Sequence, residues 1–139
     1  MLVQLAYASL AAPDEAAAIS AILTSGRRHN QQLGISGVLC SGFGMYLQVM
    51  EGERAAVSQT YAQLLQDARH QQAQLLYCEE ISERQFANWT LGHVKLEKLG
   101  TPFLLKYAER LPLTPGQLSA PSVRAMLLDL VATAAIAHK

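Results

Sequence analysis

Apolar positions change period several times along the chain, and each change marks an element. Residues 2–9, Leu-Val-Gln-Leu-Ala-Tyr-Ala-Ser, read as a first strand that puts Val3, Leu5, Tyr7 and Ser9 on one face. Pro13 and Asp14 then open a helix in which Ile19, Ile22 and Leu23 recur at helical spacing. Gly26, Arg27 and Arg28 lie near its end, with His29-Asn30 at the exit. Ile35 to Cys40 is a second strand, and Ser41-Gly42-Phe43-Gly44 turns it into a hairpin with the run 44–52. Val57, Tyr61, Leu64 and Leu65 mark a second amphipathic helix from Glu53 to Ala68. Residues 73–79 and 89–96 read as the last two strands, joined by the polar Ser82-Glu83-Arg84-Gln85 and a turn over Phe86 to Asn88.

This order predicts an α+β, ferredoxin-like βαββαββ fold, a mixed five-stranded sheet with two helices on one face. Residues 100–139 have a different texture. Phe103 to Leu111 reads as a short helix and Leu113 to Gly116 as a loop. Ser119 then caps a longer helix through Val123, Met126, Leu127, Leu130 and Val131. The helical pair is expected to cover the other sheet face, so 100–139 extends the domain formed by 1–99.

Met45 to Met50 is apolar but for Gln48, which suits a strand covered on both faces. A buried amide left unpaired costs about 1–3 kcal/mol, so partners for Gln48 are required. Because a half-turn of its last torsion exchanges donor for acceptor, Gln48 is either a structural rivet or a switch.

Composition narrows the function. The chain has 139 residues, half of them hydrophobic, enough for one domain with a good-sized core. Its 11 basic residues equal its 11 acidic ones, which argues against nucleic acid or an anionic membrane as the main partner. The amino terminus enters a strand directly, and no apolar run approaches the ~20 residues of a membrane span, so a cytoplasmic protein is expected. Cys40 and Cys78 lie in strand-like runs without metal or redox spacing and read as reduced core thiols.

Familiar enzymatic motifs are missing: there is no GxSxG, Walker loop, HExxH or GxGxxG. His29, His70, His93 and His138 are scattered, which predicts no metal site, and nothing in the spacing of Ser9, His29 and Asp14 favours a triad. Tyr7, Gln48 and Asn30 (with His29) do converge if the central strand neighbours the first. They would then border a slot between the helices, flanked by Ile22 and Leu65, able to take a flat ring whose edge wants hydrogen bonds. Singly, each has a plain structural reading: a core Tyr, a helix-capping Asn, an edge Gln, a core Trp89.

Jointly, the surrounding stretches resemble the BLUF domain, a blue-light sensor that uses flavin. The resemblance runs through Leu5-Ala6-Tyr7-Ala8-Ser9, His29-Asn30 with Gly34-Ile35-Ser36-Gly37-Val38-Leu39, and Met45-Tyr46-Leu47-Gln48-Val49-Met50-Glu51-Gly52. It continues through Asp67-Ala68-Arg69-His70 and Arg84-Gln85-Phe86-Ala87-Asn88-Trp89. It implies a non-covalent flavin between the two helices, FAD foremost, with FMN or riboflavin open. In that reading Tyr7 donates an electron and Gln48 stands between Tyr7 and the N5/C4=O edge of the ring. Asn30 binds the ring's carbonyl and N3 side, His29 lies against the ring, and Asp67 and Arg69 lie near the tail. Trp89 and Leu91 would relay the signal through the fifth strand, but Leu91 stands where the family usually has Met.

The resemblance further implies a photoreceptor without catalytic turnover, partnered by copies of itself and a separate downstream protein. Two other readings stand beside it. One is a light-insensitive flavin-binding or protein-interaction module of the same fold. The other is an acylphosphatase-like hydrolase, which needs an anion-cradling loop where residues 10–14 are Leu-Ala-Ala-Pro-Asp.

Overall fold

The computed structural model describes residues 1–137, which leaves His138 and Lys139 outside it. Five strands, β1 (Leu2–Ala11), β2 (Ser36–Gly42), β3 (Met45–Glu53), β4 (His70–Glu80) and β5 (Gly92–Lys95), form one sheet in the order β4-β1-β3-β2-β5. β3 is central and antiparallel to both β1 and β2, so those two run parallel, as the helical crossover between them requires. β5 joins β2 in parallel, making the sheet mixed. The expected α+β, ferredoxin-like layer is therefore present.

Strand alternation sorts the core into two layers. On one face Val3, Leu5, Tyr7 and Met50 meet Val57 of α2 (Arg54–Leu64), and Leu39 and Tyr46 meet Ile22 and Leu23 of α1 (Glu15–Leu33). On the other face Ala6, Ala8, Val38 and Val49 meet Val123, Met126, Leu127 and Leu130 of α4 (Ala120–Ala132). Burying each of these larger side chains contributes about 1.5–3 kcal/mol, and the tail helix thus closes the second face. Ser119 caps α4, its hydroxyl accepting from Ser122 N–H at 3.2 Å.

Several boundaries differ from the sequence reading. α1 continues through His29 and Asn30 to Leu33, so those two residues sit within the helix rather than at its exit. Gly26 is no stop signal: a Cβ there would lie 2.7 Å from Leu91 Cδ2, so the glycine serves close packing. The helix ends at Gly34, whose φ of 67° is left-handed and whose N–H bonds Asn30 O. α2 ends at Leu64 instead of Ala68, because Asp67 Oδ1 takes the Arg69 N–H at 2.9 Å and bends the chain into β4.

β4 starts at His70, where it pairs with Ala11. β5 starts only at Gly92, so Trp89 and Leu91 precede the strand; the turn expected over Phe86 to Asn88 is present, closed by Trp89 N–H on Phe86 O at 3.0 Å, with the Phe86 side chain fully buried. The helix expected over 103–111 is α3, Thr101–Leu105, with Leu104 its one buried side chain; so short a segment has little to hold more turns. Cys40 is buried, its thiol pKa pushed up to about 12 by that burial. Cys78 is exposed, on the edge strand β4, and is not a core thiol.

Candidate functional site

Between α1 and α2, above β3, lies a cavity of about 260 Å³. α1 lines it with Ser25 and His29 and with Gly26 and Asn30, pairs four residues apart and hence on one helical face. α2 contributes Thr60, Gln63 and Leu64 at the matching three- and four-residue spacing. Gln48 of β3 also lines it, and Asp67 and Arg69 border it from the turn after α2.

Tyr7 and Gln48 face each other across the β1–β3 ladder. Tyr7 is fully buried and Gln48 is 6% exposed. The Tyr7 hydroxyl donates to Gln48 Oε1. That commits the amide oxygen, and the amide nitrogen has no acceptor among the described residues. Burial, then the Asp67 carboxylate, holds the Tyr7 phenol pKa well above its usual value. Tyr61 and His70 pack on its ring, with centroids at 5.5 and 5.9 Å.

Asn30 is buried, its Nδ2 donating to Thr90 O at 2.9 Å. His29 Nε2 lies 2.8 Å from Thr60 Oγ1, whose own proton goes to Ala56 O, so His29 is the donor. Asp67 and Arg69 form a two-point ion pair with contacts of 3.0, 3.1 and 2.7 Å. The Arg69 hydrogen bond pulls the Asp67 carboxyl below its usual range, and Asp67 raises Arg69 in return.

The structure thus gathers His29, Asn30, Gln48, Asp67 and Arg69 around one cavity and sets Tyr7 directly against Gln48. It places the others elsewhere. Ile22 belongs to the buried cluster with Leu39, Tyr46 and Leu91, and Leu65 is half exposed; neither lines the cavity, where Leu64 takes the apolar part. Trp89 packs in the core layer on the α4 face, away from the cleft. Leu91 lies on the cleft side, beneath Gly26, and its carbonyl accepts from Arg27 Nε at 3.1 Å. Ser25, Gly26, Thr60, Gln63 and Leu64 were not anticipated. Their signal was the shared spacing on two helices, hidden because α1 was read as ending near Gly26.

A cleft with an unpaired amide nitrogen, amide and imidazole groups along one wall and an apolar residue opposite suits a flat ring with polar edges. Comparison with known proteins agrees. A family model described as "BLUF: Sensors of blue-light using FAD" matches residues 2–92. The chain is 36% identical over 84 residues to the photoactivated adenylate cyclase subunit beta of Euglena longa, and 33% identical to that of Euglena gracilis. These matches span 60% of the chain but only 10% of each cyclase subunit. Among solved structures, the photo-activated state of BlsA superposes with a TM-score of 0.84 at 28% identity, covering 94% of this chain and 95% of that one. The dark-state structure of BlrB, a BLUF protein, gives 0.79 at 29% identity, covering 96% of both chains. No helix among the described residues is long and apolar enough to cross a membrane.

Proposed function

Because the chain belongs to the BLUF family of blue-light sensors that use FAD, we propose that the cleft between α1 and α2 holds the flavin ring and that Tyr7 and Gln48 carry the response to light. The observation that supports this reading is the hydrogen bond from the buried Tyr7 hydroxyl to an amide that lines the cavity. When bound, the flavin supplies the blue absorption and, once excited, an acceptor for an electron.

Tyr7 is protonated in the dark, since its pKa lies far above ordinary pH. Loss of an electron makes a phenol strongly acidic, so its proton moves with the electron to the base already in place, Gln48 Oε1. When the electron and the proton return to Tyr7, Gln48 would be left rotated or tautomerised, and the group it offers the cavity would change from donor to acceptor. Asn30 and His29 hold the edge and face of the ring, their side chains oriented by Thr90 O and Thr60. Asp67 and Arg69 meet the ribityl and phosphate tail. Output passes through contacts with a separate protein or a second copy, without turnover, as the absence of enzymatic motifs in this stretch supports.

The test is one pair of absorption spectra of the flavin-loaded protein, dark and after blue light. A small, reversible red shift is expected. An unchanged spectrum overturns the photoreceptor reading in favour of a light-insensitive module.

A further inference from the structure

The sheet face turned away from the cleft carries a second buried amide. Gln4 is 4% exposed and lies opposite the fully buried Glu51 in the β1–β3 ladder. Gln4 Nε2 donates to Glu51 Oε2 at 2.8 Å, and the Tyr77 hydroxyl donates to Gln4 Oε1 at 2.6 Å. Both ends of the amide are committed, so Gln4 has a single favoured orientation. Glu51 also accepts the backbone N–H groups of Gln85 and Phe86, at 3.0 and 2.9 Å. One carboxylate therefore staples the β4–β5 connection to the middle of the sheet.

Each end of this chain reaches a different part of the molecule. In the connection, the Thr90 carbonyl accepts from Asn30 in the cleft wall, and the Trp89 carbonyl accepts from Gly37 N–H at 2.9 Å. Beyond Gln4, the Tyr77 ring lies 4.4 Å from the Arg124 guanidinium of α4, which forms a two-bond pair with Glu79 at 2.9 and 2.8 Å. We propose that Glu51, Gln4 and Tyr77, all buried, and the half-exposed Arg124 form a relay that carries the position of the 84–90 connection to α4, with Glu51 and Gln4 as its positioning residues. The relay runs across β3, β1 and β4 and does not use β5.

The physical basis is how little the core offers in exchange: beside these bonds stand two longer contacts, Gln4 Nε2 to Gln85 Oε1 at 3.4 Å and the Ser36 hydroxyl to Glu51 Oε1 at 3.5 Å. A shift at Gln85 or Phe86 breaks a buried N–H bond unless Glu51 follows. Glu51 cannot follow without moving Gln4, nor Gln4 without moving the hydroxyl of Tyr77, whose ring lies beneath Arg124. Asn30 faces the cavity, so any change in what it holds there acts on Thr90 O and hence on the connection. This use of the relay rests on the flavin reading above, whereas the coupling itself exists in the dark.

Two measurements decide it. Backbone hydrogen exchange of residues 120–132 is followed in the dark and under blue light on the FAD-loaded protein, alongside its spectrum. Tyr77→Phe, which removes one hydroxyl and keeps the ring beneath Arg124, should retain the red shift and reduce the light-dependent exchange change in α4 at least about twofold. An undiminished α4 response in Tyr77→Phe and Gln4→Leu, or none in the unsubstituted protein, overturns the relay. In the dark, a double-mutant cycle of Gln4→Leu with Arg124→Met should depart from multiplicative effects on the unfolding constant by about threefold or more. Strictly multiplicative effects overturn it. A missing red shift in the unsubstituted protein would overturn the flavin reading instead, and the dark cycle would still decide the coupling.

Discussion

Single atoms in this site differ chiefly in how many partners they have. Gln48 Oε1 has the Tyr7 proton and the amide nitrogen is left for the cavity, so Tyr7→Phe removes the proton source without emptying the site. It should keep the flavin, cost about 1 kcal/mol in denaturant unfolding and abolish the light-minus-dark difference spectrum. Gln48→Leu should also silence the difference spectrum. His70 is another buried group here: Nδ1 is 3.1 Å from Ser9 Oγ, and Nε2 has no hydrogen-bond partner among the described residues. Burial lowers its pKa below the ordinary value, despite the nearby Asp67. Unfolded His takes its proton near about pH 6.5, so over the window from there down to the folded value the unfolded chain binds more protons. Stability should therefore be complete above about pH 6.5 and fall as the solution is acidified through that window. His93, also depressed by burial, contributes with the same sign. Thermal midpoints measured across the window should show the decline, and His70→Gln should remove part of the slope.

The elements place these atoms by means that local periodicity only partly shows. α1 runs through Gly26, and a glycine stands there because the space a side chain would fill belongs to Leu91. Ala in place of Gly normally favours a helix interior by about 1 kcal/mol. Here Gly26→Ala should instead destabilise, by about 1–3 kcal/mol of overpacking, as read from the denaturant midpoint. Leu91→Ala in the same chain should relieve most of the clash. The same contact gives meaning to Leu91 standing where the family usually has Met. Leu91 is a branched, stiffer plug between α1 and Tyr46, while Trp89 is held on the opposite face. Leu91→Met should leave the primary red shift intact and alter the lifetime of the lit state, measured as dark recovery of the spectrum.

Across the whole molecule, the sheet is a partition with a different task on each side. One side positions the cleft; the other is sealed by α4, with Leu130 fully buried against the sheet layer. Leu130→Ala should cost about 2–5 kcal/mol in chemical denaturation, through lost burial and the cavity it leaves. The cleft lies on the other face of the sheet and Leu130 does not line it, so flavin binding per folded molecule should be unchanged. Glu51 links the two sides, because it belongs to the α4 face yet holds the connection that touches Asn30.

Much of this was written in local order. The alternation of periods two and 3.6 depends only on near neighbours, so the strand and helix sequence, the two-faced sheet and the covering role of the tail were all legible in it. So was the importance of Gln48, the one polar residue between Met45 and Met50. Other features depended on residues distant in the chain. That residue 26 of α1 carries no side chain was settled by Leu91, more than sixty positions away, whereas the helix itself ends at Gly34 by a local left-handed cap. Tyr7 faces Gln48 only through the β1–β3 register, and Cys78 is exposed because its strand lies at an edge. The task of Glu51 was hidden altogether, since its partners Gln4, Gln85 and Phe86 come together only when two strands and a loop have closed around it.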